Sequence, residues 1–266
     1  MYKELIYSLK DIAVAAGIDI MDVYSGDMEV EHKDDDSPLT IADKRAHQTI
    51  AAGLEKLDAN IPVLSEEGTI ASYEERKNWK KFWLVDPLDG TKEFIKKNGE
   101  FTVNIALIED SYPVLGVIYA PALDTLYVGY GEKGAVKIAQ ASNRGFASFD
   151  EMWSMGEIIS ALSPEGPAEV VASRSHMNEE TEAFINELKD IHDPVNVVSA
   201  GSSLKFCLVA EGQAHFYPRY APTMEWDTAA GQAVVEAAGG SVLDNSKNRF
   251  AYNKENLKNG WFLVKA

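Results

Sequence analysis

Apolar residues recur at helical spacing in the first part of the chain. One row runs from Tyr2 to about Val23 and consists of Leu5, Leu9, Ile12, Ala16 and Ile20. A second row follows Thr40, a residue type that commonly caps helix N-termini, and consists of Ala46, Ile50, Leu54 and Leu57. Positions at this period form the apolar face of a helix. The pattern predicts two helices, joined by a loop whose acidic run at residues 34–36 we expect to be solvated rather than metal-binding.

Several short apolar runs follow the second helix. They occupy residues 63–65, 82–86, 101–108, 114–119 and 125–128. Runs of this length between polar turns are typical of strands, and their direct succession is typical of a meandering sheet. Residues 1–167 are therefore predicted to form an N-terminal α+β half.

The order of elements changes near residue 168. Predicted strands at 169–172, 195–198, 215–217 and 262–264 alternate with predicted helices at 179–189, 203–210 and 227–238. Alternating strands and helices are typical of an α/β architecture. Residues 168–266 are therefore predicted to form a second, α/β half, with the weakly patterned segment 141–167 as its junction with the first.

Composition limits the class of protein. The chain has 266 residues, 45% of them hydrophobic, which is enough for one large domain or two small ones. Cys207 is the only cysteine, so we expect no disulfide framework and a reducing compartment. No apolar stretch approaches the ~20 residues that span a bilayer, and the N-terminus lacks a secretory pattern. The formal charge of −17 disfavours a nucleic-acid polymer as partner.

The segment Asp-Pro-Leu-Asp-Gly-Thr at residues 86–91 indicates a candidate chemistry. An apolar run brings the carboxylates of Asp86 and Asp89 into a turn, where both can face one point and the Leu88 carbonyl oxygen lacks a sheet partner. Hard oxygen ligands of this kind suit Mg²⁺. Taken alone, however, such a tetrapeptide is more often a surface turn.

Two further acidic segments favour a metal site over an ordinary turn. Glu66 is the first residue to leave the strand at 63–65, and Asp227 lies near the start of the helix at 227–238, where its alternative role is an N-cap. Carboxylates that converge within a few ångströms repel one another by roughly 4 kcal/mol per close pair at an effective dielectric constant of about 20. Such a cluster needs cations or protons, and Mg²⁺ is the natural counter-charge.

Two motifs carry a resemblance to a known family: Asp-Pro-(Ile/Leu)-Asp-Gly-(Thr/Ser) at 86–91 and Trp-Asp-x-Ala-Ala-Gly at 226–231. With them the chain resembles the inositol monophosphatase-like, lithium-sensitive phosphatase superfamily. Further segments, at 64–67, 89–104 and 201–207, make it similar to the bacterial 3′(2′),5′-bisphosphate nucleotidases of that superfamily. The similarity covers most of the chain and is weakest at about 131–167.

The resemblance implies a five-layer αβαβα sandwich with the site between the two halves. It implies a hydrolase that uses metal-activated water to convert 3′-phosphoadenosine 5′-phosphate to AMP and phosphate, with a role in sulfur assimilation and nucleotide recycling. It also implies inhibition by Li⁺, and we expect inhibition by excess Ca²⁺ because Ca²⁺ prefers longer bonds and looser coordination. The expected location is cytoplasmic, with peripheral association at the cytoplasmic face of the inner membrane left open.

The family pattern places two or three Mg²⁺ ions at the acidic cluster. Glu66, Asp86 and the Leu88 carbonyl oxygen would hold the first ion. Asp86, Asp89 and Asp227 would hold the second, and a third, weaker ion would share Glu66.

The same pattern pairs Thr91 with Asp43, the last residue of a Thr-x-x-Asp segment at 40–43. A threonine hydroxyl is too weak a base near neutral pH, so Thr91 would orient the attacking water while Asp43 accepts its proton. From local sequence alone, Asp43 would instead complete a capping box with Thr40. The resemblance favours the catalytic role.

Residues that bind the substrate are expected in both halves. In eukaryotic relatives a His, a Ser-x-x-Lys pair and an Arg contact the nucleotide, and the matching residues are His176, Ser202, Lys205 and Arg219. Residues of the metal site that would also contact the substrate are Glu66, Leu88, Asp89, Gly90, Thr91 and Asp227. Lys205 or Arg219 would meet the second phosphate. The alternative roles are an N-cap for Ser202, solvated surface charges for the two cations and a loop position for His176.

Other classes compete with this assignment. A haloacid dehalogenase-type phosphatase needs two Asp separated by one residue, and a cysteine phosphatase needs an Arg six residues after its Cys, where Gln213 stands. Neither pattern fits, so the expected nucleophile is water. An inositol monophosphatase or fructose 1,6-bisphosphatase of the same superfamily, and a non-catalytic metal or nucleotide sensor, remain as alternatives.

Overall fold

A computed structural model describes residues 2–26, 30–32, 38–131, 133–172 and 178–266. Its helices are α1 (Tyr2–Tyr24), α2 (Ile41–Leu57), α3 (Tyr73–Arg76), α4 (Thr91–Ile95), α5 (Phe149–Met155), α6 (Glu179–Lys189), α7 (Leu204–Ala210) and α8 (Ala229–Ala237). Short 3₁₀ turns lie at Pro121–Leu123, Ala141–Asn143 and Glu225–Asp227. Within the described ranges, no helix combines the length and the apolar character needed to cross a membrane.

A seven-stranded sheet is built from the first part of the chain. Before it, β1 (Val30–His32) and β2 (Pro38–Thr40) pair with each other. The sheet contains β3 (Val63–Ser65), β4 (Lys81–Asp89), β5 (Thr102–Glu109), β6 (Tyr112–Ala120), β7 (Thr125–Tyr130), β8 (Gly134–Ala139) and β9 (Glu157–Ile159), in that spatial order. The β3–β4 pair is parallel and all later pairs are antiparallel. The expected meander is confirmed.

A five-stranded sheet is built from the rest of the chain. It contains β10 (Ala168–Ala172), β11 (Val195–Ser199), β12 (Phe216–Arg219), β13 (Ser241–Asp244) and β14 (Phe262–Lys265), in the spatial order β11-β10-β12-β14-β13. β10 is parallel to β11 and β12, whereas β14 is antiparallel to β12 and β13. The division into two halves at residue 167 stays a prediction.

Helices and sheets alternate in five layers. Successive β4 residues face opposite cores, because side chains alternate along a strand. Val85 packs with α1 and α2, whereas Leu84 packs with α7 and α8, which lie between the sheets. On the outer side of the five-stranded sheet, Ile185 of α6 packs against Val170. The mixed α/β architecture and its order of layers agree with the expected sandwich.

Three elements lie in the segment 131–167, where the similarity to the family was weakest. β8 and β9 extend the seven-stranded sheet, and α5 places Phe149 and Met152 in the core shared with α1. The junction between the sheets is therefore shorter than predicted and runs from Ile159 to Ala168. Pairing with the sheet and packing on α1 therefore decide the structure of this segment.

α8 lies unusually close to its neighbours. A Cβ atom at Gly116 or Gly129 would lie 2.6 or 2.5 Å from a carbonyl oxygen of α8, and one at Gly231 would lie 2.4 Å from the ring of Phe206. These distances are shorter than van der Waals contact, so a larger residue would push α8 away from the strands or from α7. The glycines therefore fix α8, which begins just after Asp227.

Candidate active site

β4 ends in a distorted turn that carries two carboxylates. Its pairing with β5 is regular as far as Asp86 and shifts register before Asp89. The Leu88 N–H donates to Asp86 Oδ1 at 3.0 Å, and Gly90 has a φ of 91°, a left-handed conformation that favours glycine. α4 then begins at Thr91. The local sequence thus presents both carboxylates at one end of the seven-stranded sheet.

Glu66 and Asp227 reach the same place from other elements. β3 pairs in parallel with β4, and the Glu66 N–H donates to a β4 carbonyl, so Glu66 leaves its strand beside Asp86. Asp227 ends a 3₁₀ turn, and its Oδ2 accepts the Met224 N–H at 2.8 Å. This bond orients the Asp227 carboxylate. The N-cap of α8 is Thr228, so the alternative role of Asp227 as that cap is wrong.

Among the described residues, one group of candidate metal ligands has its ligand atoms within 4.8 Å of one another: Glu66, Asp86 and Asp227. Asp86 is only 2% exposed. Burial, followed by repulsion from Glu66, Asp89 and Asp227, raises the pKa of the Asp86 carboxyl well above its usual range. Burial and repulsion from Asp89 and Glu66 also raise the pKa of Asp227. The cluster therefore carries more negative charge than its surroundings stabilise.

This chemistry fits a divalent cation. Buried carboxylates that repel one another are costly without a counter-charge, and carboxylate and carbonyl oxygens are the ligands that Mg²⁺ prefers. The Leu88 carbonyl oxygen lies at the same turn, 3.3 Å from the Thr91 hydroxyl. The residues that could hold Mg²⁺ are thus Glu66, Asp86, Asp89 and Asp227, together with this carbonyl.

Two buried polar residues orient Asp89. Its Oδ2 accepts the Ser203 hydroxyl at 2.9 Å and the Asn104 amide at 3.4 Å. Ser203 Oγ also lies 3.0 Å from the Asp227 carbonyl oxygen and accepts the Asn104 amide at 2.9 Å. One hydroxyl therefore joins the segments that carry Asp89 and Asp227. The sequence did not indicate this role for Ser203 or Asn104, although a polar Asn104 within the apolar run of β5 was an available signal.

Asp43 belongs to a capping box and contacts Thr91 at the same time. Its Oδ2 accepts the Thr40 N–H at 2.7 Å and the Thr40 hydroxyl at 2.6 Å, which caps the start of α2. Its Oδ1 accepts the Thr91 hydroxyl at 3.2 Å. The two alternatives drawn from the sequence are compatible because each uses a different oxygen. The capping box holds the carboxylate in the orientation that reaches Thr91.

The acidic cluster lines one cavity, which we call the acidic cavity and whose wall includes Glu66 and Asp86. A second cavity, with cationic residues in its wall, adjoins it. Asp89 and Asp227 line both cavities. The second one is also lined by Ser202, Lys205 and Arg219. Ser202 Oγ and Arg219 Nε are buried and have no hydrogen-bond partner among the described residues. Since buried polar atoms are normally paired, these two atoms favour a polar ligand in this cavity.

Lys205 is 6% exposed, so the alternative of a solvated surface charge is wrong for this residue. Its ammonium group donates to the Ala200 and Ser202 carbonyls at 3.3 and 2.7 Å and lies 5.6 Å from the centre of the Tyr217 ring. Burial lowers the pKa of Lys205 to about 8, while the Asp89 charge opposes the shift. Lys205 therefore holds the loop before α7 as well as lining the cavity.

The other expected nucleotide contacts differ in their placement. Arg219 is half-buried and donates to a nearby backbone carbonyl at 3.0 Å, so it too is not simply solvated. Ser202 has a φ of 42° and does not cap α7, whose N-cap is Ser203, so that alternative is wrong. His176 lies outside the described residues, as does the acidic run at 34–36.

The chain is similar to known proteins along nearly its whole length. The sequence profile of the inositol monophosphatase family matches residues 1–260. The 3′(2′),5′-bisphosphate nucleotidase CysQ of Salmonella typhimurium is 47% identical over 256 residues, which cover 95% of this chain and 96% of that protein.

The chain is also similar to solved structures. The crystal structure of CysQ from Bacteroides thetaiotaomicron, described as a bacterial member of the inositol monophosphatase family, has a TM-score of 0.90 and 45% identity, covering 100% of this chain and 98% of that one. An IMPase from Thermotoga maritima, 23% identical, has a TM-score of 0.72 and covers 96% and 89% of the two chains. The second comparison shows the fold alone.

Proposed function

This chain belongs to the inositol monophosphatase family, and on that premise we propose that it is a Mg²⁺-dependent phosphatase that hydrolyses 3′-phosphoadenosine 5′-phosphate to AMP and phosphate. The observation that supports this substrate is the cavity with Lys205 and Arg219, which shares Asp89 and Asp227 with the acidic cavity. A bisphosphate nucleotide has one phosphate for each cavity. The names of the relatives at 47% and 45% identity agree with this assignment. A role in sulfur assimilation and nucleotide recycling belongs to the same proposal.

The acidic cluster is the proposed site of the metal ions and of the reacting phosphate. Glu66, Asp86 and the Leu88 carbonyl would hold one Mg²⁺, Asp86, Asp89 and Asp227 would hold another, and a third, weaker ion would share Glu66. When bound, Mg²⁺ supplies the positive charge that neutralises the phosphate and lowers the pKa of water. The protein contributes fixed ligand positions, since Asp227 and Asp89 are each held by hydrogen bonds within the chain.

Thr91 and Asp43 are the proposed catalytic pair. The Thr91 hydroxyl would orient the attacking water, and Asp43 Oδ1 would accept the proton that the water loses. Their 3.2 Å contact supports this pairing. Thr40 occupies the other oxygen of Asp43 and so directs Oδ1 towards Thr91.

The function is tested by measuring phosphate release from 3′-phosphoadenosine 5′-phosphate, inositol 1-phosphate and fructose 1,6-bisphosphate, each in Mg²⁺ and in excess chelator. We expect the highest kcat/KM for the nucleotide and no release after chelation. A higher kcat/KM for inositol 1-phosphate or for the sugar bisphosphate would identify a different phosphatase of the same family. Nucleotide binding without phosphate release would identify a sensor.

Arg219→Ala is expected to lower kcat/KM for 3′-phosphoadenosine 5′-phosphate about 10- to 150-fold. A charge-assisted hydrogen bond to the second phosphate contributes about 1.5–3 kcal/mol, and this substitution removes it. Inositol 1-phosphate has no second phosphate, so its slower hydrolysis should change little. The measurement is steady-state kinetics of the variant and the parent on both substrates.

Arg144→Ala is the matched control, because Arg144 is, like Arg219, a half-buried arginine, makes one long bond, of 3.5 Å, to the Met155 carbonyl and lines neither cavity. Lys205→Ala should show the same nucleotide-specific loss, together with lower stability, because Lys205 also holds two backbone carbonyls. Equal losses on both substrates in Arg219→Ala would instead place Arg219 at the reacting phosphate or in the fold.

Li⁺ and excess Ca²⁺ are expected to inhibit phosphate release. Li⁺ should replace the weaker Mg²⁺ that shares Glu66, and Ca²⁺ should fail to support turnover because it prefers longer bonds and looser coordination. The measurement is activity at fixed Mg²⁺ with increasing LiCl or CaCl₂, with NaCl as the control for ionic strength. Full activity in LiCl at concentrations well above that of Mg²⁺ would contradict the metal assignment.

A further inference from the structure

The chain between β13 and β14 contains an irregular segment, residues 251–260, which we name the clamp loop. Arg76 of α3 donates to two carbonyls of this loop at 2.6 and 2.7 Å. Glu225, which is 0% exposed and lies two residues before Asp227, accepts the Lys254 N–H at 2.9 Å and pairs with the Lys254 ammonium at 2.6 Å. The clamp loop is therefore anchored both to α3 and to the turn that carries Asp227.

Asn259 of the clamp loop also holds this turn. Its N–H donates to the Thr223 carbonyl at 2.8 Å. Its side-chain Nδ2 lies 2.7 Å from the Met224 carbonyl oxygen, 3.1 Å from Thr223 Oγ1 and 3.2 Å from Thr228 Oγ1. Its Oδ1 accepts the Lys254 ammonium at 3.2 Å. Asn259 is 6% exposed, so this set of bonds forms away from solvent.

The peptide unit between Thr223 and Met224 links Asn259 to Asp227. Its carbonyl accepts the Asn259 N–H, and its N–H donates to Asp227 Oδ2. Because a peptide unit is planar, a partner that fixes the carbonyl also fixes the direction of the N–H. The Asn259 side chain holds the next carbonyl, that of Met224. Met224, whose N–H binds the Asp227 carboxylate, is therefore restrained by the peptide unit on each side of it.

We propose that Asn259 is a positioning residue for Asp227, acting through the Met224 N–H, and that the affinity for Mg²⁺ depends on it. The inference rests on the proposed function in taking Asp227 as a metal ligand. Substitution of a group that orients a metal ligand typically lowers metal affinity or activity 10- to 100-fold. Asn259 is not among the residues that line the two cavities, so it acts without touching the substrate.

The test is Asn259→Ala, with Mg²⁺ titrated into the full chain by calorimetry in the absence of nucleotide. The Kd for the Mg²⁺ that Asp227 would hold should rise about 10- to 100-fold. At low Mg²⁺ the rate of nucleotide hydrolysis should fall by a similar factor and recover as Mg²⁺ is raised. At saturating Mg²⁺ the KM for the nucleotide should stay within about twofold of the parent value. A purely structural role would lower Tm but leave the Kd for Mg²⁺ of the folded protein at the parent value.

Two variants serve as controls. Asn256→Ala alters the same loop at a side chain whose Oδ1 accepts the Lys258 N–H at 2.9 Å. Val242→Ala removes the two γ-methyl groups of a fully buried side chain of β13 and should lower Tm without touching the Asp227 turn. Both should keep the parent Kd for Mg²⁺. If Asn259→Ala does not fold, Asn259→Asp, which keeps the size and Oδ1 but removes the amide donor, should show the same weakening.

A parent-like Kd for Mg²⁺ in a folded Asn259 variant would overturn the inference, and so would an equal rise of Kd in Val242→Ala. Absence of phosphate release from the nucleotide by the parent chain would instead reject the proposed function. The two failures are distinguishable because the Mg²⁺ titration uses no nucleotide.

Discussion

Asp86→Asn is expected to lower phosphate release about 10³-fold or more and, at the same time, to stabilise the metal-free protein. The substitution removes a proposed ligand of two Mg²⁺ ions, and losing several kcal/mol of charge stabilisation at the reacting phosphate corresponds to a rate decrease of this size. In the metal-free protein the buried Asp86 faces the charges of Glu66, Asp89 and Asp227, and the amide removes that repulsion. A gain on the order of 1 kcal/mol would raise Tm by about 2–4 °C. The measurements are phosphate release in saturating Mg²⁺ and thermal unfolding in chelator.

In Mg²⁺ the parent should be more stable than Asp86→Asn, which is the reverse of the order expected in chelator. The parent should gain Tm on addition of Mg²⁺, because a ligand that binds the folded state stabilises it, whereas Asp86→Asn should respond weakly. Asp22→Asn is a matched control, because Asp22 is an exposed aspartate of α1. If Asp86→Asn lost both activity and metal-free stability, Asp86 would be holding the fold rather than a cation.

Thr91→Ala and Asp43→Asn are each expected to lower kcat about 10²-fold or more with metal affinity nearly intact. Each substitution disables one member of the pair that would orient the water and accept its proton, and neither removes a metal-binding carboxylate. The measurements are kcat at saturating substrate and Mg²⁺, and calorimetric titration of Mg²⁺.

The double variant decides whether the pair acts as a unit. Residues that act together are non-additive, so the Thr91→Ala/Asp43→Asn enzyme should be little worse than either single variant. A loss equal to the product of the single losses would reject the relay. Thr40→Ala is the control for the helix cap. It removes the hydroxyl bond to the other oxygen of Asp43 but keeps the Thr40 N–H bond that orients this carboxylate, so it should cost about 1 kcal/mol of stability with a much smaller loss of kcat.

The elements that the sequence predicted well are those whose stability is visible locally. α1 and α2 carry long apolar rows, and Thr40 caps α2 as expected. β8, β9 and α5 were not predicted, and they are stabilised by sheet pairing and by packing on α1. Tertiary contacts therefore decided the structure of the segment between residues 131 and 167.

The candidate site likewise combines local contacts, which the sequence predicts, with long-range contacts, which it does not. A single turn brings Asp86 and Asp89 together, so their proximity could be inferred from the motif itself. The bond between Asn104 and Ser203 joins residues 99 positions apart and depends on how the two sheets face each other. The burial of Lys205 has the same origin, because α7 lies between the sheets. Local sequence contains no signal for such contacts.

The enclosure of α8 between two sheets ties the site to the stability of the whole molecule. Because Gly116 and Gly129 let the helix approach one sheet so closely, α8 cannot unwind unless the sheets separate. Its amide hydrogens should therefore exchange with solvent only through global unfolding. Asp227 lies two residues before the start of this helix, so heat inactivation should coincide with global unfolding and not with an earlier local opening.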